Sequence, residues 1–63
     1  MSEKEHILSE IKTLVRILNT HGNTLVHSLN GKETTAKEWL QHFVVLASEQ
    51  FGMTLDDIDA AIA

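Results

Sequence analysis

The chain has 63 residues, no cysteine and a formal net charge of −4 at pH 7. The absence of cysteine excludes disulfides and cysteine-based metal sites, and the short length allows one domain at most, residues 1–63. Apolar residues make up 43% of the sequence, which is too many for a disordered segment. Because a domain this small is only marginally stable, we expect binding of a partner chain to stabilise it.

The negative charge is concentrated in the second half of the sequence. Residues 1–31 carry three basic and three acidic residues, whereas residues 32–63 carry two basic and six acidic residues. Nucleic-acid binding depends on clustered lysine and arginine, so these scattered basic residues argue against a nucleic-acid partner. Polar residues interrupt the first apolar stretch, so no signal peptide or membrane span is predicted, and we expect a cytoplasmic protein.

The first predicted element is a helix that begins near residue 3 and ends at Gly22. Ser2 and Glu5 match the capping-box pattern, and Gly22 suits the left-handed residue that follows many helices. Ile17 lies off the apolar stripe of this helix. The stripe itself follows helical spacing and consists of Ile7, Leu8, Ile11, Leu14, Val15 and Leu18.

Residues 23–31 allow either a β-hairpin or a short helix. In a hairpin, Asn30-Gly31 would form a type I′ turn, but the outgoing strand, residues 32–35, contains no apolar residue. A helix capped by Asn23 or Thr24 would place the three apolar residues of this segment, Leu25, Val26 and Leu29, on one face and would end at Gly31. The helix uses every residue without conflict, and we favour it.

A third interpretation is one long helix over residues 3–30. The apolar spacing of the first helix nearly continues through residues 21–29, and a glycine inside a helix costs only about 1 kcal/mol. The chain would then be a helical hairpin, which buries its apolar faces best as a dimeric four-helix bundle.

The next predicted helix begins after a capping residue at Thr35 and ends at Gly52. Its apolar face, which includes Trp39, covers roughly 160° of arc, and Val45 lies outside even that face. A face this wide is expected to contact more than one neighbour. A short last helix is predicted after Thr54. The fold class is therefore all-α, a small bundle of two long and two short helices, with helix–β-hairpin–helix (α+β) as the alternative.

No motif in the sequence predicts catalysis. The four histidines, His6, His21, His27 and His42, lack the paired spacing of a zinc site and are interpreted as surface or partly buried residues. Asp56, Asp57 and Asp59 lie in the first turns of the last helix, where the helix dipole stabilises negative charge. We expect no catalytic residue, no metal and no cofactor.

The favoured function is a small non-enzymatic interaction module or regulator that self-associates, as a dimer, or binds another protein. The candidate interface residues are Ile17, Trp39, Val45 and Phe51, because they lie off their stripes or on the wide helical face. One alternative is a transcriptional regulator with a helix-turn-helix formed by residues 24–30 and 36–51. The other, tied to the hairpin fold, is a structural subunit of a larger, virion-like assembly.

Overall fold

The computed structural model describes residues 2–29 and 31–63, with the backbone alone at Leu29. This part of the chain forms three helices and one two-stranded antiparallel sheet. In chain order they are α1 (Glu3–His21), β1 (Leu25–Leu29), β2 (Lys32–Thr35), α2 (Ala36–Phe51) and α3 (Leu55–Ile62).

The prediction of an all-α bundle of four helices is wrong, and so is the single helix over residues 3–30. Residues 25–29 form a strand, and the helix–β-hairpin–helix alternative is confirmed. The predicted turn residue Asn30 lies outside the described residues, whereas its neighbour Gly31 has a φ of 79°, which favours glycine. The helix-turn-helix hypothesis is also wrong, because residues 25–29, which belong to the first of its two helices, form a strand.

Thr35 explains why the hairpin and α2 are compatible. Its backbone is extended, with φ −78° and ψ 163°, so it ends β2 and is also the capping residue of α2. An N-cap residue normally has such non-helical dihedral angles. One residue can therefore end the strand and cap the helix at the same time.

The hairpin register places Leu25 opposite Thr35, Ser28 opposite Glu33 and Leu29 opposite Lys32. The register shifts between Leu25 and His27, so β1 has one residue more than β2 at this point. An extra residue of this kind bends a strand and increases its local twist. The sequence of β2, KETT, contains no apolar side chain, so its backbone pairing with β1 is what holds it in place.

The predicted capping residues at the helix starts and Gly52 are confirmed, but Gly22 ends α1 with φ 74° and ψ −162°, so the predicted left-handed helical conformation there is wrong. The Ser2 hydroxyl accepts a hydrogen bond from the Glu5 backbone N–H at 3.2 Å. Thr54 and Asp57 form a reciprocal capping box, with distances of 3.1 and 3.0 Å. Gly52 ends α2 in the left-handed conformation, with φ 65° and ψ 24°. These local signals fix where the helices begin and end.

The core lies at one end of the molecule, which we call the core end. It is formed by the first half of α1, the second half of α2, and α3. Two hydrogen bonds join the segment that follows α1 to the start of α2: the Ala36 N–H donates to the Thr24 carbonyl at 2.7 Å and the Lys37 N–H to the Asn23 side chain at 2.9 Å. The two long helices therefore run in opposite directions. The buried core cluster consists of Ile7, Ile11, Ala47, Met53 and Ile58.

Candidate protein interface at the hairpin end

The other end of the molecule, which we call the hairpin end, is less well covered. It comprises the last turns of α1, the hairpin and the first turns of α2. Leu14 is buried on the inner stripe of α1, but Leu18, the last residue of that stripe, is only half-buried. The hairpin packs mainly against α2, so the last turn of α1 lacks the cover that α3 gives to the first turns.

Four half-buried apolar residues at this end lie outside the group that packs on the core cluster: Ile17, Leu18, Val26 and Trp39. Leu25, next to them in β1, is 56% exposed. We call these five residues the hairpin-end surface. Apolar side chains that are left partly exposed mark binding sites where they cluster, and we therefore take this end as the candidate functional site.

Trp39 stacks with two histidine rings. The ring of His27 in β1 lies parallel to the indole, with ring centroids 4.4 Å apart and planes 7° from parallel. His42, one turn further along α2, is stacked with Trp39 at 5.0 Å and 9°. Phe43 meets the indole edge-on at 5.1 Å. Stacked and edge-to-face pairs are both favourable aromatic geometries, so this group joins the hairpin to α2 and orients Trp39.

Sequence reasoning missed this group of rings. The spacing of Trp39 and His42, three residues apart on a helix, predicts that they are neighbours. No such local signal connects His27 to Trp39, because their contact depends on the hairpin and its position against α2. His6 and His21 are exposed, as expected.

The four residues predicted as an interface do not form one surface. Ile17 and Trp39 both lie at the hairpin end, where each is half-buried. Val45 is 44% exposed, on the face of α2 that points away from the core. Phe51 is exposed at the end of α2, close in sequence to Leu55, which is 69% exposed at the start of α3.

The two ends of the molecule differ in charge. The core end has a net charge of −5, from Lys4 against the carboxylates of Glu3, Glu5, Glu49, Asp56, Asp57 and Asp59. The hairpin end has a net charge of +1 with neutral histidines, from Arg16, Lys32 and Lys37 against Glu33 and Glu38. Glu10 and Lys12 lie between the ends and cancel. The negative charge of the chain is therefore carried by the core end.

The acidic residues of α3 include a structural cap. Asp57 accepts a hydrogen bond from the Thr54 N–H, and it also interacts with the Thr54 hydroxyl group. These two interactions, with a smaller contribution from Lys4, lower the pKa of Asp57. Across residues 2–29 and 31–63, no group of three or more histidine and carboxylate side chains is arranged to hold a metal ion.

Comparison with known proteins identifies no relative. The chain matches no family model and has no significant match among curated proteins or solved structures. Among the described helices, none is both long enough and apolar enough to cross a membrane.

Proposed function

We propose that the protein is a small, non-enzymatic structural subunit that binds other protein chains in a larger assembly through its hairpin-end surface. The observation that carries this proposal is the position of five large apolar residues at the poorly covered end of the molecule. Burying apolar area is the main driving force of most protein association. A cytoplasmic location, consistent with the cysteine-free sequence, belongs to the same proposal.

The size of the core supports a need for partners. The buried apolar residues of the described chain are three from α1, two from α2, Ile58 of α3 and Met53 before it. Ile11 is the one large side chain among them with less than 2% exposure. A core this small gives a narrow margin of stability, and binding of a partner to the folded state would widen it.

Trp39 supports the hairpin end as the binding site. Tryptophan is enriched among residues that dominate binding energy, especially where surrounding groups fix its position. The two histidine rings and Phe43 provide that fixation. Because the indole of Trp39 is half-buried and already held by its neighbours, it loses little side-chain entropy when a partner covers it.

Charge supports a protein partner over nucleic acid. The net charge of +1 at the hairpin end offers few groups to neutralise phosphates, which supply most of the affinity for nucleic acids. Moreover, β1 contains no Lys, Arg, Asp or Glu residue. A neutral, apolar strand beside an ordered tryptophan is typical of protein interfaces, whose centres are depleted of charge.

The proposal is tested by the size of the protein in an extract of the cells that produce it. Wild type, Leu25→Asp and Leu55→Asp would be separated by gel filtration and detected through the same tag. Both substitutions place a carboxylate at an exposed leucine, at opposite ends of the molecule. We expect wild type and Leu55→Asp to elute in a complex much larger than a dimer, and Leu25→Asp to leave it. Elution of all three at the mass of the purified protein would refute the proposal.

A further inference from the structure

We infer that the stacked rings of His27, Trp39 and His42 form a pH-sensitive contact, which holds the hairpin against α2 more tightly when the histidines are protonated. Histidine is the side chain whose charge ordinarily changes between pH 5 and 8. Of the four histidines, these two have rings that stack with the indole. The inference concerns the fold itself and involves no partner chain, so it goes beyond the proposed function.

Both imidazoles lie where a positive charge is attracted to the indole. Their ring centroids are 4.4 and 5.0 Å from that of Trp39, and their planes are 7° and 9° from parallel to it. A cation within about 6 Å of the centroid of a tryptophan ring, over its face, is attracted by the negative charge of that face. Protonation therefore adds an electrostatic attraction to contacts that already exist between the neutral rings.

The two histidines differ in what their contacts hold together. His42 and Trp39 both belong to α2, so their contact stays within one helix, whereas His27 belongs to β1. Attraction between His27 and Trp39 therefore opposes separation of the hairpin from α2. His27 is also half-buried, whereas His42 is exposed, and the attraction between a cation and a ring is stronger where water is partly excluded. We therefore expect His27 to account for most of the effect.

The other charged groups at the hairpin end nearly cancel. β1 contains no Lys, Arg, Asp or Glu, so His27 has no such neighbour on its own strand. Glu38 lies four residues before His42 on α2, an arrangement in which a carboxylate favours a positive charge on the ring. The remaining groups are exposed, where water and salt screen their charges. They are Lys32 and Glu33 of β2, Lys37 of α2, and Arg16 and His21 of α1.

The direction of the pH dependence follows from where the proton is held. The stack exists only in the folded chain, so a proton that strengthens it stabilises the folded state relative to the unfolded state. This stabilisation is present in mild acid and is lost as the pH rises through the range in which histidines lose their protons. The Asp57 cap acts in the opposite direction, but only in stronger acid, since its pKa is lowered from 3.8. The two effects are therefore separable.

The experiment is urea denaturation of the purified protein, followed by circular dichroism, at about pH 8 and about pH 5.5. His27→Phe keeps an aromatic ring beside Trp39 but never carries a charge, so it is compared with wild type. We expect the unfolding equilibrium constant of wild type, relative to that of His27→Phe, to fall at least about threefold from the higher pH to the lower. His6→Gln removes an exposed histidine of α1 outside the stack and should keep the pH dependence of wild type.

A second variant keeps the test independent of one substitution. Trp39→Leu removes the indole and leaves both imidazoles in place, so it should lose the same part of the pH dependence as His27→Phe. The same pH dependence in wild type and in both variants would overturn the inference, as would a wild type that is destabilised in mild acid relative to them. Because these measurements use the purified chain alone, they can fail while the proposed function holds, and the reverse.

Discussion

The imidazole of His27 lies flat against the indole of Trp39, with ring centroids 4.4 Å apart and planes 7° from parallel. The two residues come from β1 and α2, so this contact connects the hairpin to the helical part of the fold. It also orients the largest side chain of the hairpin-end surface. The contact therefore links the stability of the hairpin to the proposed binding function.

Removing the His27 ring should loosen the hairpin. Aromatic pairs contribute about 0.5–1.5 kcal/mol beyond their buried area, so we expect His27→Ala to lower the free energy of unfolding by about 1–2 kcal/mol. Urea denaturation, monitored through the fluorescence of Trp39, measures this change. His6→Ala, at an exposed position of α1, is the control and should have no effect beyond about 0.5 kcal/mol. Equal stability of the two variants would contradict the proposed role of the stack.

Two isoleucines of α1 should respond differently to truncation. Ile11 is 1% exposed within the core cluster, and Ile17 is half-buried at the hairpin end. We expect Ile11→Ala to cost about 2–5 kcal/mol, because it leaves a cavity in the core. Ile17→Ala should cost about 1 kcal/mol or less in the monomer, since little area is lost. Thermal unfolding of both variants at low concentration would reveal the difference. A larger loss of stability in Ile17→Ala than in Ile11→Ala would contradict the location of the core.

Gly52 is expected to tolerate asparagine better than alanine. Its φ of 65° is strained for a residue with a Cβ, although an added Cβ would meet no atom within 4 Å. The cost of Gly52→Ala is therefore the backbone strain of about 1–2 kcal/mol. Gly52→Asn should cost less, since asparagine adopts this conformation more readily. Calorimetric unfolding distinguishes the two, and an unchanged stability of Gly52→Ala would show that α2 ends differently in solution.

The Asp57 cap should make stability depend on acid pH. Since its pKa is lowered from 3.8 in the folded state, the stabilisation is present above 3.8 and is lost as the pH falls through the folded value. Asp57→Asn should therefore be less stable than wild type at neutral pH, and the difference should shrink on acidification. Asp56→Asn removes a charge from the same turn without removing the cap and serves as the control. A difference independent of pH would argue against the charged cap.

The helices of this fold could be predicted from sequence because their signals are local. Ser2, Thr35 and Thr54 each cap a helix, and Gly52 ends α2 at the predicted position. The apolar stripe of α1 was also predicted, although its last residue, Leu18, is only half-buried. The burial of Leu18 depends on where the hairpin packs, and the apolar periodicity of one helix carries no information about that.

The hairpin was predicted only as an alternative, because its stability does not come from apolar side chains in both strands. The Asn30-Gly31 pair indicates a hairpin, but the single apolar face of residues 25–29 and the lack of apolar residues in 32–35 favour a helix over it. Pairing with β2 and the stack of His27 on Trp39 favour the strand instead. Both involve contacts between separate elements, and for the same reason the sequence did not predict the hairpin-end surface.

The central claim is that the hairpin end is the surface through which this chain associates. Two-dimensional ¹H–¹⁵N NMR spectra of the labelled protein, recorded in buffer and in a concentrated extract of the cells that produce it, test it residue by residue. We expect the Trp39 indole N–H and the amides of Leu25–Ser28 to shift or broaden in the extract, with the amides of α3 unchanged. Changes confined to α3, or identical spectra in buffer and in extract, would contradict the claim.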